Sequence, residues 1–246
     1  MNAIAIIPAR YASTRFPGKA LALLQGKPII QHVYERVLES GLFQRVIIAT
    51  DSLRISDAVQ SFGGVSQMTD SRLASGTDRI ADIVSSIEIP EHTIIVNVQG
   101  DEPLISRDPL LCLLNAFNDS GVRMASLMTH IGDPSDIQNP NCVKVVVDRF
   151  YDALYFSRSK IPFDRDGSAE YPYMRHIGVY AYQKATLLQF VTLPESLLEQ
   201  AEKLEQLRAL ENGIKIRMVN SNYQGIGIDT PDDLVRVEAM LSSQGG

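Results

Sequence analysis

Three short stretches of this 246-residue sequence gather side chains suited to phosphate and metal. The first is Pro8-Ala9-Arg10-Tyr11-Ala12-Ser13-Thr14-Arg15-Phe16-Pro17-Gly18-Lys19. Arg10, Arg15 and Lys19, with two hydroxyls beside them, match the oxygens of phosphate groups. The chain contains no Gly-x-x-x-x-Gly-Lys-Ser/Thr and no Gly-x-Gly-x-x-Gly, so the loop is neither a P-loop nor a dinucleotide fingerprint. Its plain alternative is an exposed basic loop.

The second stretch is Val96-Asn97-Val98-Gln99-Gly100-Asp101-Glu102-Pro103. An apolar strand ending in Gly-Asp-Glu sets a carboxylate at the edge of a sheet, and magnesium takes one or two carboxylates with phosphate oxygens and water. A turn aspartate before Pro103 is the other reading. The third is Gly227-Ile228-Asp229-Thr230-Pro231-Asp232-Asp233. Asp232 and Asp233 belong to a first helical turn, where the helix dipole accounts for them. Asp229, expected to close a short strand, falls outside that account and is the better ligand candidate.

Elements that position these loops can be read from periodicity. Ala3–Pro8, Arg45–Ala49, Val65–Met68 and Thr93–Val98 are short apolar or β-branched runs. Between them, residues 28–40, 54–62 and 77–87 carry helical apolar stripes, the first two stopped by Gly41 and by Gly63-Gly64. Alternating strand and helix implies an α/β fold with a mainly parallel sheet and helices on both faces. In such sheets, ligands bind at the carboxyl ends of strands, where the first two loops fall. Farther on, Ala125–His130, Cys142–Val147 and Ala153–Phe156 read as strands without long helices between them, which suggests a small antiparallel insertion, and His176–Tyr182 alternates as a further strand. Ser168–Tyr173 reads as a loop, Ser196–Gly213 as one helix, Lys215–Asn220 as a strand and Asp232–Leu241 as the last helix.

A net charge of −6 argues against nucleic acid or an anionic membrane as the main partner. Two cysteines, Cys112 and Cys142, make neither a disulfide framework nor zinc spacing and suit a reducing compartment. No apolar run approaches the roughly 18 residues of a membrane span, and Met1 to Ile7 has no secretion signal, so a soluble, unexported protein is expected.

PARYASTRFPGK and VNVQGDEP resemble the nucleotide loop and metal segment of bacterial sugar nucleotidyltransferases that use CTP. ALYFSRSKIPF, RHIGVYAY, EKLEQLRALENG and IDTPDDL follow in the order of the 3-deoxy-manno-octulosonate (KDO) cytidylyltransferases, which the chain resembles from Ile4 to about Leu241. That resemblance implies a single domain over residues 1–246, with a Rossmann-type, glycosyltransferase-A-like sheet and a sugar-binding and dimerisation portion around 125–190. It implies CMP transfer from CTP to the anomeric hydroxyl of KDO for lipopolysaccharide synthesis, in the cytoplasm, by a homodimer.

Residue roles follow from the same resemblance. Arg10 and Lys19 hold the CTP phosphates, with Ala9, Ser13 and Arg15 in the same loop. Ser75 and Arg79, in Ala74-Ser75-Gly76-Thr77-Asp78-Arg79, lie near the cytosine and ribose; Asp78 stands where a Glu is common. Asp101 and Asp229 bind magnesium, which favours the alkoxide of the attacking sugar. Gln99, Arg158, His176, Tyr180, Glu205 and Gln206 surround the sugar acid. Taken singly, His176 and Tyr180 could be ordinary strand residues, and Glu205 could pair with Arg208 along its helix. The rival readings are a cytidylyltransferase for 8-amino-KDO or sialic acid, and a non-catalytic nucleotide-binding module on the same scaffold.

Overall fold

The structure is a computed structural model that describes residues 2–12, 15–167 and 171–244. It divides into two compact units, Met1–Leu110 with Gly225–Gly246 and Leu111–Gln224.

In the first unit, β1 (Ala3–Ala9) is buried on both faces from Ala3 to Ile7, as its unbroken apolar run requires. The small hairpin of β2 (Leu23–Leu24) and β3 (Lys27–Pro28) leads into α1 (Ile29–Glu39). Ile29, Ile30, Val33, Tyr34 and Val37 form the buried stripe of α1. Next come β4 (Arg45–Thr50), α2 (Leu53–Ser61), β5 (Ser66–Met68), α3 (Gly76–Ser86) and β6 (Ile94–Asn97). Within this unit the strand order is β6-β1-β4-β5, every pair parallel, with Ala3 opposite Ile94, Ile4 opposite Arg45 and Ile48 opposite Ser66. The loops after β1 and β6 therefore leave the same edge of adjacent strands. Gly100 lets them approach: a Cβ there would lie 2.8 Å from the carbonyl oxygen of Pro8.

Helix α4 (Arg107–Asn115) carries the chain into the second unit. There β7 (Met124–His130), α5 (Pro134–Gln138), β8 (Lys144–Val147), β9 (Ala153–Ser157) and β10 (Met174–Gln183) follow. β10 runs antiparallel to β7 and to β8, and β8 antiparallel to β9, so the expected antiparallel addition is present. Cys142 lies just before β8 rather than in it. Of the loop expected at Ser168–Tyr173, the first three residues lie outside the described set.

The expected single helix over 196–213 is instead two, α7 (Leu197–Glu202) and α8 (Gln206–Glu211), preceded by α6 (Lys184–Val191). Lys203 breaks the run with φ 53°. The cause is tertiary: the Arg158 guanidinium donates to the carbonyls of Glu202 at 2.7 Å and Lys203 at 3.4 Å. In a continuous helix those oxygens would accept amides one turn ahead. β11 (Arg217–Asn220) then pairs parallel to β7.

The chain returns to the first unit at Gly225. Residues 225–229 run without strand pairing, so Asp229 does not close a strand as expected. It precedes α9 (Pro231–Gln244) instead. Ile228 and Val237 pack in a buried cluster with Leu24 and Ile29, which seats this segment against α1 and its hairpin. Asp233 accepts from the amides of Asp229 and Thr230, while its own amide donates to Thr230 Oγ1. This reciprocal cap gives Asp233 a structural task and holds Asp229 at the helix entrance.

Candidate active site

A cleft of about 310 Å³ in the first unit is lined by Ala9, Arg10, Arg15, Lys19, Gln99, Asp101 and Asp229, among others. Seven of the residues singled out from the sequence thus meet in one place. Gly18, with φ 72°, turns the opening loop, and the amide of Leu21 donates to its carbonyl to start a short 3-10 turn at Lys19. Only a residue tolerant of positive φ fits there without strain. Asp101 is held by a turn in which the amide of Glu102 donates to the carbonyl of Gln99.

Lys19 Nζ donates to Asp101 Oδ2 at 2.6 Å and to Asp229 Oδ1 at 3.1 Å. Arg15 adds a second cation 3.0 Å from Asp229 Oδ1. Burial alone would lower the pKa of Lys19, but the two carboxylates outweigh it and hold it above its ordinary value. Asp101 and Asp229 stay partly open to solvent, their side chains 28% and 43% exposed. Two carboxylate oxygens meeting at one cationic centre, with room for further oxygens, form the donor set magnesium accepts.

Arg10 is fixed differently, donating through Nη2 to the carbonyl of Leu73. Ser75 caps α3: its hydroxyl accepts from the amide of Asp78, and Asp78 accepts from the amide of Ser75. Asp78 thereby completes the capping box at the start of α3. Arg79 is wholly buried, bound to Asp51 at 2.9 Å and to Thr69. Ser13 lies outside the described residues.

In the second unit, His176, Tyr180 and Glu205 draw together. His176 Nε2 is 3.0 Å from Ser126 Oγ, and its ring packs edge-on against Phe156 and obliquely against Tyr180. Burial first, and the charge of Arg175 second, push the His176 imidazole down to about 3. Burial also holds the Tyr180 phenol well above its ordinary value, with Tyr182 and Glu205 adding to the effect. Both groups are neutral hydrogen-bonding groups near pH 7. Gln206 Nε2 is buried without a hydrogen-bond partner among the described residues. Glu205 lies 3.9 Å from Arg208, but the bidentate partner of Arg208 is Glu199, at 2.6 and 2.8 Å.

Arg158, expected by resemblance around the sugar acid, is engaged with backbone in this structure. Its guanidinium donates to three backbone carbonyls, those of Glu202, Lys203 and Pro140.

Some contributors were missed from the sequence. The register between β10 and β7 slips between Ile177 and Tyr180, and Ser126 Oγ fills the bulge by donating to the carbonyls of Ile177 and Val179. Gly178 inside a strand pattern was the available signal. Arg54 was missed as well: it donates to the hydroxyl of Tyr11 at 2.9 Å and lies over its ring, bracing the opening loop. The second unit also holds a larger cavity, about 470 Å³, but none of the residues singled out from the sequence lines it. Asp152 crosses that cavity with bonds to Lys215 and Arg217 that join the β8–β9 turn to β11.

Cations and a carboxylate pair gathered where a parallel α/β sheet binds its ligands suit a phosphate-bearing nucleotide, and the family match gives the class, a nucleotidyl transferase. The cytidylyltransferase family model matches residues 4–216. A 3-deoxy-manno-octulosonate cytidylyltransferase of Solibacter usitatus is 49% identical, over 98% of this chain and 94% of its own. One from Pelobacter propionicus is also 49% identical, over 96% of each. A solved CMP:2-keto-3-deoxy-manno-octonic acid synthetase complexed with CTP superposes with a TM-score of 0.93 at 43% identity, covering 99% of this chain and 100% of that one. A 4-diphosphocytidyl-2C-methyl-D-erythritol synthase from Anaerococcus prevotii shares the fold, with a TM-score of 0.65 at 15% identity. The chain belongs to the cytidylyltransferase family and, within it, to the 3-deoxy-manno-octulosonate cytidylyltransferases. Among the described residues, no helix is long and apolar enough to cross a membrane.

Proposed function

We propose that this chain transfers CMP from CTP to the anomeric hydroxyl of KDO, releasing pyrophosphate and supplying the activated sugar for lipopolysaccharide assembly. The observation that carries the reading is the meeting of Arg10, Arg15 and Lys19 with Asp101 and Asp229 in one cleft. In the reaction the sugar hydroxyl oxygen bonds to the α-phosphorus, the bond from that phosphorus to the bridging oxygen breaks, and the hydroxyl proton passes to solvent. Arg10 and Lys19 bind the triphosphate and offset the charge that grows on departing pyrophosphate. Arg15 reinforces them from its largely exposed side chain. Asp101 and Asp229 would hold magnesium, which supplies charge neutralisation at the phosphates and a lowered pKa for the attacking hydroxyl.

Sugar recognition is assigned to the second unit. His176 and Tyr180, neutral and packed, offer fixed polar atoms to hydroxyls, and the unpartnered Gln206 amide has capacity to donate. Arg158 contributes by shaping the α7–α8 junction next to Glu205 and Gln206.

A cytoplasmic location suits CTP as substrate and the free thiols of Cys112 and Cys142. Homodimerisation through the second unit is supported by apolar side chains at its surface: Phe150 and Leu154 are each 62% exposed, and Phe163 is 82% exposed.

The test is pyrophosphate release with magnesium and CTP, comparing KDO, 8-amino-KDO and sialic acid, with UTP as nucleotide control. Turnover confined to CTP with KDO is expected. Preference for the amino sugar would change the substrate, and silence with every sugar would leave a nucleotide-binding module.

A further inference from the structure

Lys19 occupies the place where a divalent cation would sit. Its Nζ takes one oxygen from each aspartate, at 2.6 and 3.1 Å. A magnesium ion on the same oxygens would stand about 2.0–2.1 Å from them, so one seat cannot hold both. The charges are also balanced without metal: Lys19 and Arg15 face Asp101 and Asp229, two cations against two anions. Adding a divalent ion to that group would leave an uncompensated excess of positive charge.

The backbone around the seat is fixed while the lysine side chain can swing. The amide of Lys19 donates to the carbonyl of Phe16, and the amide of Ala22 donates to the carbonyl of Lys19. On the facing side, the amide of Ile228 donates to the carbonyl of Asp101. Lysine carries its compact charge on a flexible four-carbon stem, unlike the planar fork of arginine. Arg10, a further cation of this cleft besides Arg15, is already held by the carbonyl of Leu73.

We propose that Lys19 is a built-in cation that closes the metal seat of the free protein. It leaves the aspartates when a triphosphate in the same cleft offers it new anionic partners, so metal and nucleotide enter together. The inference rests on the reading of Asp101 and Asp229 as the metal pair. Binding coupled in this way is reciprocal: the nucleotide strengthens the hold on metal by the factor that metal strengthens the hold on nucleotide. The free protein thereby avoids collecting divalent ions that have no triphosphate to act on.

The experiment is a titration with Mn²⁺ alone, without nucleotide, read by the electron paramagnetic resonance signal of the unbound ion. Lys19→Gln leaves the two carboxylates facing each other with only exposed Arg15 nearby, and should bind Mn²⁺ at least about tenfold more tightly than the unaltered chain. Equal or weaker binding by the variant overturns the proposal. If Lys19→Gln melts early, Lys19→Met keeps the packing of the stem, removes the charge and serves in its place. The double variant Asp101→Asn, Lys19→Gln should lose the gain; retention of the gain means that the ion sits elsewhere, which also overturns the proposal. Pyrophosphate release by the unaltered protein judges the activity separately, so a failed switch and a failed reading of the function give different results.

Discussion

The amide of Ile228 donates to the carbonyl of Asp101 at 2.9 Å. This bond locks the turn after β6 to the segment that enters α9, one residue before Asp229. Neither aspartate relies on its side chain alone for its position, and the spacing of the pair is set by backbone.

Asp101→Asn keeps the shape of the turn and removes the charge that faces Lys19. Turnover in the pyrophosphate assay should fall at least about a hundredfold, with little change in thermal midpoint. A variant that keeps most of its rate at saturating magnesium would be incompatible with the proposed metal pair.

Gly100→Ala tests the meeting of the β1 and β6 loops. The new methyl group would lie 2.8 Å from the Pro8 carbonyl oxygen, and backbone cannot yield as a flexible side chain does. A loss of about 1–3 kcal/mol in urea unfolding is expected, together with weaker CTP binding as the strand ends part. Unchanged CTP affinity would show that the approach has no bearing on the site.

Arg158→Met should destabilise the protein by about 1–3 kcal/mol, because carbonyls at the α7–α8 break lose their donor. A rise in the KM for sugar should accompany it as Glu205 and Gln206 shift. If KM rises while the urea midpoint stays in place, the guanidinium acts on the sugar directly.

His176 ties stability to pH. Its folded pKa of about 3 lies below the ordinary 6.5, so the unfolded chain binds the proton more readily between those values. The contribution is fully present above about pH 6.5 and is lost as pH falls toward 3. Denaturant unfolding measured across that window should show a shallower pH slope in His176→Gln than in the unaltered protein. Parallel slopes would mean that the imidazole is not held neutral.

Sequence alone determined the parallel α/β framework and the chief phosphate and metal candidates. Unbroken apolar runs such as Ala3–Ile7 must be buried on both faces, and the loops that follow such strands share one edge of the sheet. Lys19 and Asp101 were legible because strand ends are local properties; Asp229 was legible from its motif, although the short strand expected before it is absent. Only tertiary structure decided that Lys19 bridges the two aspartates, that Arg79 is buried with Asp51, and that Asp233 caps α9. It also decided that residues 196–213 break in two, since local propensity favours one helix and Arg158 removes the carbonyls from it. The bulge that Ser126 fills in β10 belongs to the same class. Periodicity reports which face of an element is buried, but carries no record of which distant donor reaches its backbone.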